Sequence, residues 1–389
     1  MYSYFSRKIN ADFFDLRLNS PSAGLSENGD LGFEGYLISQ RPIRNITCTS
    51  YFDTKAKITL NIENAEPSER IQLGISEKLH LLKYKVFVSM MEDVNDLHCK
   101  LDVEVEEGQW TQLFAFCVQH HQIFPEVRLV VGSPRSGTTA VGMAVNRGEG
   151  VRSHGESHVL QGVVASNQSL EDFFIKSSTA QVTGNLVNEM PKTMTLAANI
   201  KMVREIYRRH YGDTVYVDKT PGIPMLNSLE FAFDVWPNAK VIFCKRRGIE
   251  NVQSRLIKFP NVPFEHHVKQ WRQTFIIWRR TQALLSSKLK RNDWFFELEQ
   301  YELANKPEPT IRQLSEFLNW NNMKFSRALN AVLGKRPQQT SQSDRAKSLA
   351  DMSWTEENKS IFSTVCSEEM ARQGYSLDSQ YYASVLNNK

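Results

Sequence analysis

The 389-residue chain contains no run approaching the roughly 18 consecutive apolar residues that a membrane-spanning helix requires, so no membrane span is expected. Met1 to Asn10 lacks the apolar core of a signal peptide, and the expected location is cytoplasmic. Cysteine is sparse: Cys48, Cys99, Cys117, Cys244 and Cys366 are odd in number, scattered and without a Cys-x-x-Cys pair. This argues against a disulfide framework and a cysteine zinc site, and leaves buried thiols in a reducing compartment. There is no dense Lys/Arg run and no nucleic-acid motif, so nucleic acid is not an expected partner. Nor is there the low hydrophobicity of a disordered chain: 41% hydrophobic and 23% charged residues place the protein among ordinary globular ones, with length enough for two domains.

The net charge of +4 is unevenly placed. Residues 1–125 carry 12 Lys and Arg against 17 Asp and Glu, a net −5, which leaves 35 against 26, a net +9, for the rest. The basic part is the one suited to a small polyanion.

From Leu31 to Gln122 the chain breaks into short β-type runs: Leu31 to Ser39, Ile43 to Phe52, Ala56 to Ile62, Ile71 to Ile75, Tyr84 to Met90, His98 to Val105 and Gln109 to Val118. Apolar residues fall on every second position in Lys57 to Ile62 and in Lys100 to Val105. The spacing predicts an all-β, sandwich-like accessory domain over residues 1–124, with Pro125 at the junction. Its aromatics, Trp110 and Phe114 among them, read first as core and second as a sugar-stacking platform.

Over residues 125–389 the pattern becomes strands alternating with helices, which predicts an α/β domain with a parallel sheet flanked by helices. Val127 to Val131 is its first strand and Thr138 to Asn146 the helix that follows. Between them lies Gly132-Ser-Pro-Arg-Ser-Gly-Thr-Thr139, the layout of a P-loop phosphate cradle: backbone N–H groups and a helix N-terminus converge on an anion. The spacing Gly132-x-x-x-x-Gly137 is that of a Walker A loop, but the Lys expected after the second Gly is Thr138. Arg135 is the cation within the loop. A gap from Gly148 to Ser157 reads as loop, Leu170 to Phe174 and Met194 to His210 as helical. The strand Thr214 to Val217 then runs into Asp218-Lys219-Thr220-Pro221, which places Lys219 toward the same crevice as Arg135. The strand Lys240 to Cys244 ends in the basic turn Lys245-Arg246-Arg247-Gly248. Ser254 and Lys258 follow on one face of a helix, suited to a second phosphate.

The loop at Gly132, the Asp218-Lys-Thr-Pro221 segment and Lys240-Val-Ile-Phe-Cys-Lys-Arg-Arg-Gly-Ile-Glu-Asn-Val-Gln-Ser254 together resemble the sulfotransferases that use 3′-phosphoadenosine 5′-phosphosulfate (PAPS). Gln300-Tyr301-Glu302-x-Leu with Pro307-x-Pro309 and the helix Ile311 to Leu318 is similar to that family's later strand-to-helix segment. The resemblance covers about Val127 to Tyr375. It implies the sulfotransferase fold and a PAPS-dependent enzyme with Ser136, Gly137, Thr138 and Thr139 at the 5′-phosphosulfate and Arg246 and Ser254 at the 3′-phosphate. Pro134-Arg-Ser-Gly-Thr-Thr139 looks closer to tyrosylprotein sulfotransferases and their bacterial relatives than to the cytosolic small-molecule enzymes, which carry Lys at the Arg135 position. In that branch a Glu in a Gly-Glu context is the catalytic base. His154-Gly155-Glu156-Ser157-His158 supplies one here, with Glu156 21 positions after Arg135. Arg247 departs from the Asp of many relatives.

These expectations define a scheme in which Arg135 and Lys219 counter charge at the leaving oxygen and the sulfuryl group while Glu156 takes the acceptor's proton. No metal is required by it, and there is no clear acidic magnesium motif. The acceptor is expected to be a hydroxyl, first on a carbohydrate because of the β domain, with tyrosine, lipid or a small metabolite behind it. His154 or His158 is an alternative base or an orienting partner of Glu156, and His-x-Glu-x-His is not a His-Glu-x-x-His metal motif. Trp271 and Trp278 read first as a buried helix face and second as acceptor contacts. Lys335 to Ser341 is either a loop closing over the nucleotide or an ordinary surface loop. Two other classes remain open, a P-loop kinase-like phosphotransferase and a non-catalytic nucleotide- or glycan-binding protein. The sequence leaves the oligomeric state undetermined.

Overall fold

The structure, a computed structural model, describes residues 2–8, 14–18, 23–26, 31–40, 42–51, 57–73, 75–76, 79–89, 96–106, 109–120, 125–152, 155–179, 193–212, 214–334 and 346–383. In the N-terminal part, β1 (Tyr2–Lys8), β2 (Phe14–Leu18), β3 (Ala23–Ser26), β4 (Leu31–Ser39), β5 (Asn45–Tyr51), β6 (Lys57–Asn64), β7 (His80–Ser89), β8 (Asp96–Glu106) and β9 (Gln109–His120) divide between two antiparallel sheets. Their orders are β3-β1-β9-β8-β5 and β2-β4-β7-β6. The alternation seen in the sequence has its expected meaning in β8, where Leu101 and Val103 are fully buried. In β6, at a sheet edge, the same alternation leaves Ile58 and Leu60 only half-buried. The expected strand Ile71 to Ile75 is corrected: Pro67–Gln72 forms a short helix, α1. Pro67 opens it, and Glu66 and Glu69 close a reciprocal capping box, with the Glu66 N–H donating to Glu69 Oε2 at 2.9 Å. These local caps override the apolar alternation of Ile71, Leu73 and Ile75.

The second part is built on β10 (Val127–Gly132), all six of whose residues are buried. Together with β11 (Tyr216–Lys219), β12 (Lys240–Lys245) and β13 (Phe295–Glu299) it forms a parallel sheet in the order β11-β10-β12-β13. The helices are α2 (Thr138–Glu149), α3 (Val159–Thr179), α4 (Thr193–Tyr211), α5 (Ile223–Asn227), α6 (Leu229–Val235), α7 (Gly248–Lys258), α8 (Phe264–Leu289), α9 (Gln300–Asn305), α10 (Pro307–Leu318), α11 (Asn322–Leu333) and α12 (Glu356–Arg372). Alternate strand residues feed two cores. Leu129, Val131, Val241 and Phe243 pack with Trp271 and Trp278, while Val130, Ile242 and Leu298 pack with Val141, Val145 and Leu314. This two-sided burial explains the near-continuous apolar runs of these strands.

Sheet order places the site. From β10 the chain returns to one side as β11, then crosses to the other as β12, so a crevice opens at the carboxyl end of β10. Gly132 pairs with Cys244, which brings the loop after β10 level with the basic turn after β12. Among the described residues, no helix is long and apolar enough to cross a membrane.

Candidate active site

Gly132 ends β10 at φ 141°, and a methyl group there would sit 2.3 Å from the Cys244 carbonyl oxygen. Only glycine permits the two strands to lie this close as the chain turns away. Arg135 adopts a left-handed conformation at φ 73°, which a non-glycine residue takes at a cost of roughly 1–3 kcal/mol. Gly137, at φ 82°, caps α2 without a side-chain hydrogen bond, which leaves first-turn N–H groups of α2 without a capping side chain, and a methyl there would sit 2.8 Å from Gln300 Cγ.

The loop is tied to the basic turn and its helix. Arg246 Nη1 donates to the Arg135 carbonyl at 3.0 Å, and Arg135 Nε donates to Ser254 Oγ at 3.1 Å. The residues expected at the two phosphates are thus in direct contact. Arg246 is half-buried, its Nε has no hydrogen-bond partner among the described residues, and burial pushes its pKa below the usual arginine value. An orphan guanidinium donor fits an anion. Asn251 on α7 also reaches the loop, and its sequence signal is its position three residues before Ser254 on one helical face. Trp271 and Trp278 are buried, and the Trp271 Nε1 donates to the Arg246 carbonyl at 3.0 Å, fixing the turn from behind.

On the other wall, Lys219 Nζ lies 3.0 Å from Glu156 Oε1, and His158 Nε2 lies 3.3 Å from Glu156 Oε2. The Lys219 stem crosses α2 at Gly142, where an added methyl would come within 2.8 Å of Lys219 Cγ. Ser157 anchors the Glu156 segment: its N–H donates to Thr220 Oγ1 at 3.2 Å and its hydroxyl donates to the buried Asp218 Oδ2 at 2.6 Å. Thr220 donates to Asp218 Oδ1 at 2.7 Å, and Tyr207, whose pKa burial raises, also donates to Asp218. Sequence reasoning passes over Asp218 as a mere neighbour of Lys219.

Arg135, Thr139, Glu156 and Lys219 converge on one cleft of about 620 Å³, completed by Met143 and Asn146 of α2 and by Lys258 and Phe259 at the end of α7. Arg246 and Ser254 do not line it and join it through Arg135. His154 lies outside the described residues, as does the Lys335 to Ser341 segment. Among the described residues no group of three or more His, Cys, Asp or Glu could hold a metal ion.

The departure at Arg247 has a structural reason. Its side chain is fully buried, its Nε donates to Glu250 Oε2 at 2.8 Å, and its Nη1 donates to the carbonyls of Asp378 and Gln380, both at 2.8 Å. Its Nη2 donates to Glu250 and, at 2.6 Å, to the Lys347 carbonyl. Beside it, Tyr381 accepts the Arg247 N–H at 2.8 Å and donates to Glu299 Oε1 at 2.5 Å, while Tyr375 donates to Glu299 Oε2 at 2.5 Å. Arg247 and Glu299 therefore clamp the segment after α12 against the basic turn.

A sequence profile described as the sulfotransferase family matches residues 129–323, the stretch from β10 to the start of α11. Among solved structures the chain is similar to the sulfotransferase domain of the Synechococcus PCC 7002 olefin synthase, at 17% identity and TM-score 0.37, over 56% of this chain and 80% of that one. It is also similar to a sulfotransferase from Mycobacterium avium, at 12% identity and TM-score 0.41, over 67% and 79%. A third similar structure is the sulfotransferase domain from the curacin biosynthetic pathway, at 16% identity and TM-score 0.37, over 66% and 95%. No curated protein matches the chain. The profile spans half of the chain and takes in the phosphate loop, Glu156, Lys219 and the basic turn, and on that ground this protein belongs to the sulfotransferase family.

Proposed function

We propose that the protein transfers a sulfuryl group from PAPS to a hydroxyl on a glycan, with Glu156 as general base. The observation that carries this reading is the 3.0 Å contact of Lys219 with Glu156 in a cleft that Arg135 and Thr139 also line. A base, two cations and a phosphate loop share one space, the set that in-line transfer from a phosphosulfate requires. PAPS supplies the sulfuryl group and a phosphate leaving group. The Ser136 hydroxyl and the N–H groups of Gly137, Thr138 and Thr139 hold the 5′-phosphate, while the Ser136 N–H donates within the loop to the Ser133 carbonyl at 3.1 Å. Arg246, through its unpartnered Nε, and Ser254 hold the 3′-phosphate. Arg135 and Lys219 counter the charge that develops as the acceptor oxygen bonds sulfur and the bond to the phosphate oxygen breaks. Glu156 takes the hydroxyl proton, a role worth about 10²- to 10⁴-fold. His158, 3.3 Å from Glu156, orients the carboxylate.

Pro134-Arg-Ser-Gly-Thr-Thr139 with Gly155-Glu156 supports placement beside the tyrosylprotein branch and its bacterial relatives. Residues 1–124 act as an accessory β domain and residues 125–389 as the transferase domain. The glycan is the acceptor favoured by that β region, by association rather than by identified contacts.

The protein is expected to be stabilised against heat by 3′-phosphoadenosine 5′-phosphate far more than by AMP or ATP at equal concentration. Equal stabilisation by AMP removes the two-phosphate argument. Glu156→Gln should keep that stabilisation and lose transfer; an undiminished rate moves the base to His154 or His158. Incubation with sulfur-labelled PAPS and an extract of the host identifies the acceptor, and label on tyrosine instead of carbohydrate overturns the glycan.

A further inference from the structure

Asn251 sits on α7 between Arg246 and Ser254 in sequence, at the end of the site given above to the 3′-phosphate. Its side chain reaches the other end. Nδ2 lies 3.0 Å from the Pro134 carbonyl oxygen and 3.0 Å from Ser136 Oγ, and Ser133 Oγ lies 3.4 Å from Oδ1. The partners fix the amide's orientation: a carbonyl oxygen only accepts, so the atom facing Pro134 is the NH₂ group. The same NH₂ group is then the donor to Ser136 Oγ. Ser136 therefore receives a hydrogen bond from Asn251 and keeps its own proton for another acceptor. Asn251 is fully buried and Ser136 is 1% exposed, so bulk water does not replace these bonds when they are lost. Between the two contacts stands Arg135, in its left-handed conformation at φ 73°, whose own carbonyl is held by Arg246.

We propose that Asn251 is a positioning residue for the 5′-phosphate end of the cofactor site. By holding the Pro134 carbonyl and the Ser136 hydroxyl oxygen, it fixes the loop on either side of Arg135 and turns the Ser136 proton, with the N–H groups that follow, toward the anion. This rests on the two-phosphate reading above. Place in the sequence would assign Asn251 to the 3′-phosphate; its hydrogen bonds assign it to the 5′-phosphate, and the two assignments are separable by experiment.

The probes are 3′-phosphoadenosine 5′-phosphate and adenosine 3′-phosphate, which differ only in the 5′-phosphate. Their affinities for the full chain and for Asn251→Ala and Asn251→Asp are measured by calorimetry. The expected result is a loss of about 5- to 100-fold for the bisphosphate with adenosine 3′-phosphate changed less than about twofold. Asn251→Asp preserves volume but places carboxylate oxygens against the Pro134 carbonyl and Ser136, so its loss should be at least as large. Adenosine 3′-phosphate reports folding of each variant, and a folding defect confined to Asn251→Ala leaves Asn251→Asp as the test. Equal losses for both ligands in Asn251→Asp, or no loss for either, overturn the proposal. Wild-type protein that binds both ligands equally overturns instead the two-phosphate reading beneath it.

Discussion

The substitution Glu299→Gln should remove a large part of the pH dependence of stability between pH 5 and pH 8. Glu299 closes β13, is 7% exposed, and receives the hydroxyls of Tyr375 and Tyr381 at 2.5 Å each. Burial raises its pKa from the ordinary 4.5 to about 7, against the opposing pull of the two tyrosine hydrogen bonds and the Lys245 charge. A carboxyl whose folded value lies above its unfolded value binds its proton more tightly in the folded protein. Its stabilising contribution is complete below about pH 4.5 and is lost as pH rises through about 7. At 1.36 kcal/mol per unit, a rise from 4.5 to about 7 corresponds to about 3 kcal/mol lost by pH 8. The substituted amide does not titrate; its NH₂ group can donate to one tyrosine oxygen while its carbonyl accepts from the other hydroxyl. Urea unfolding of both proteins at pH 5 and pH 8 gives the test as a difference of differences, in which every other titrating group cancels. The wild type should lose about 2.5 kcal/mol more than the variant across this window, the part of the shift that falls between pH 5 and pH 8. Parallel pH dependence in the two proteins would refute the burial argument.

Gly132→Ala should lower stability by about 3 kcal/mol or more, seen as a fall in the urea midpoint, because the new methyl lies 2.3 Å from the Cys244 carbonyl oxygen; a wild-type midpoint would mean that β10 and β12 are not so close. Gly142→Ala pushes on the Lys219 stem at 2.8 Å, so turnover in a single-turnover assay should fall about 10- to 100-fold while 3′-phosphoadenosine 5′-phosphate still stabilises the fold; unchanged turnover would free Lys219 from any need of this groove. Arg247→Met strips the partners from the carbonyls of Lys347, Ser376, Asp378 and Gln380 and from Glu250, and should cost about 3–5 kcal/mol and expose the segment after α12 to limited proteolysis. Unaltered proteolysis would show that the clamp holds nothing in place.

The parts of this fold that are legible in the sequence are those specified by neighbours in the chain. β10, the loop and α2 follow from an apolar run, two glycines five positions apart and a helical pattern, and the expected strand Leu31 to Ser39 matches β4 to the residue. What the sequence hides is specified from afar. β1 pairs with β9 from Tyr2↔His120 onward, and nothing within Tyr2–Lys8 announces a partner more than a hundred residues away. The alternation at Ile71 points the wrong way because a proline and a capping box outweigh it over six residues. In the site, Arg135, Glu156 and Lys219 are legible because each stands in or beside a recognisable run. Asn251 and Arg247 are not, since their meaning lies in carbonyls contributed by the loop 117 positions earlier and by a segment 129 to 133 positions later.

Sheet register also explains why two basic motifs distant in the sequence meet. β10 and β12 are hydrogen-bonded neighbours with Gly132 opposite Cys244, so the loop and the Lys245-Arg246-Arg247 turn leave the same edge of the sheet side by side. That adjacency lets Arg246 hold the Arg135 carbonyl and lets α7, which starts at the turn, send Asn251 and Ser254 back to the loop. The left-handed backbone at Arg135 is costly for a chain with a β-carbon, and these three contacts from a single strand-turn-helix unit over-determine it. Disturbing β12 or α7 should therefore alter the loop after β10 before it alters the opposite wall, where Glu156 and Lys219 depend on β11, the buried Asp218, Tyr207 of α4 and Gly142 of α2 instead.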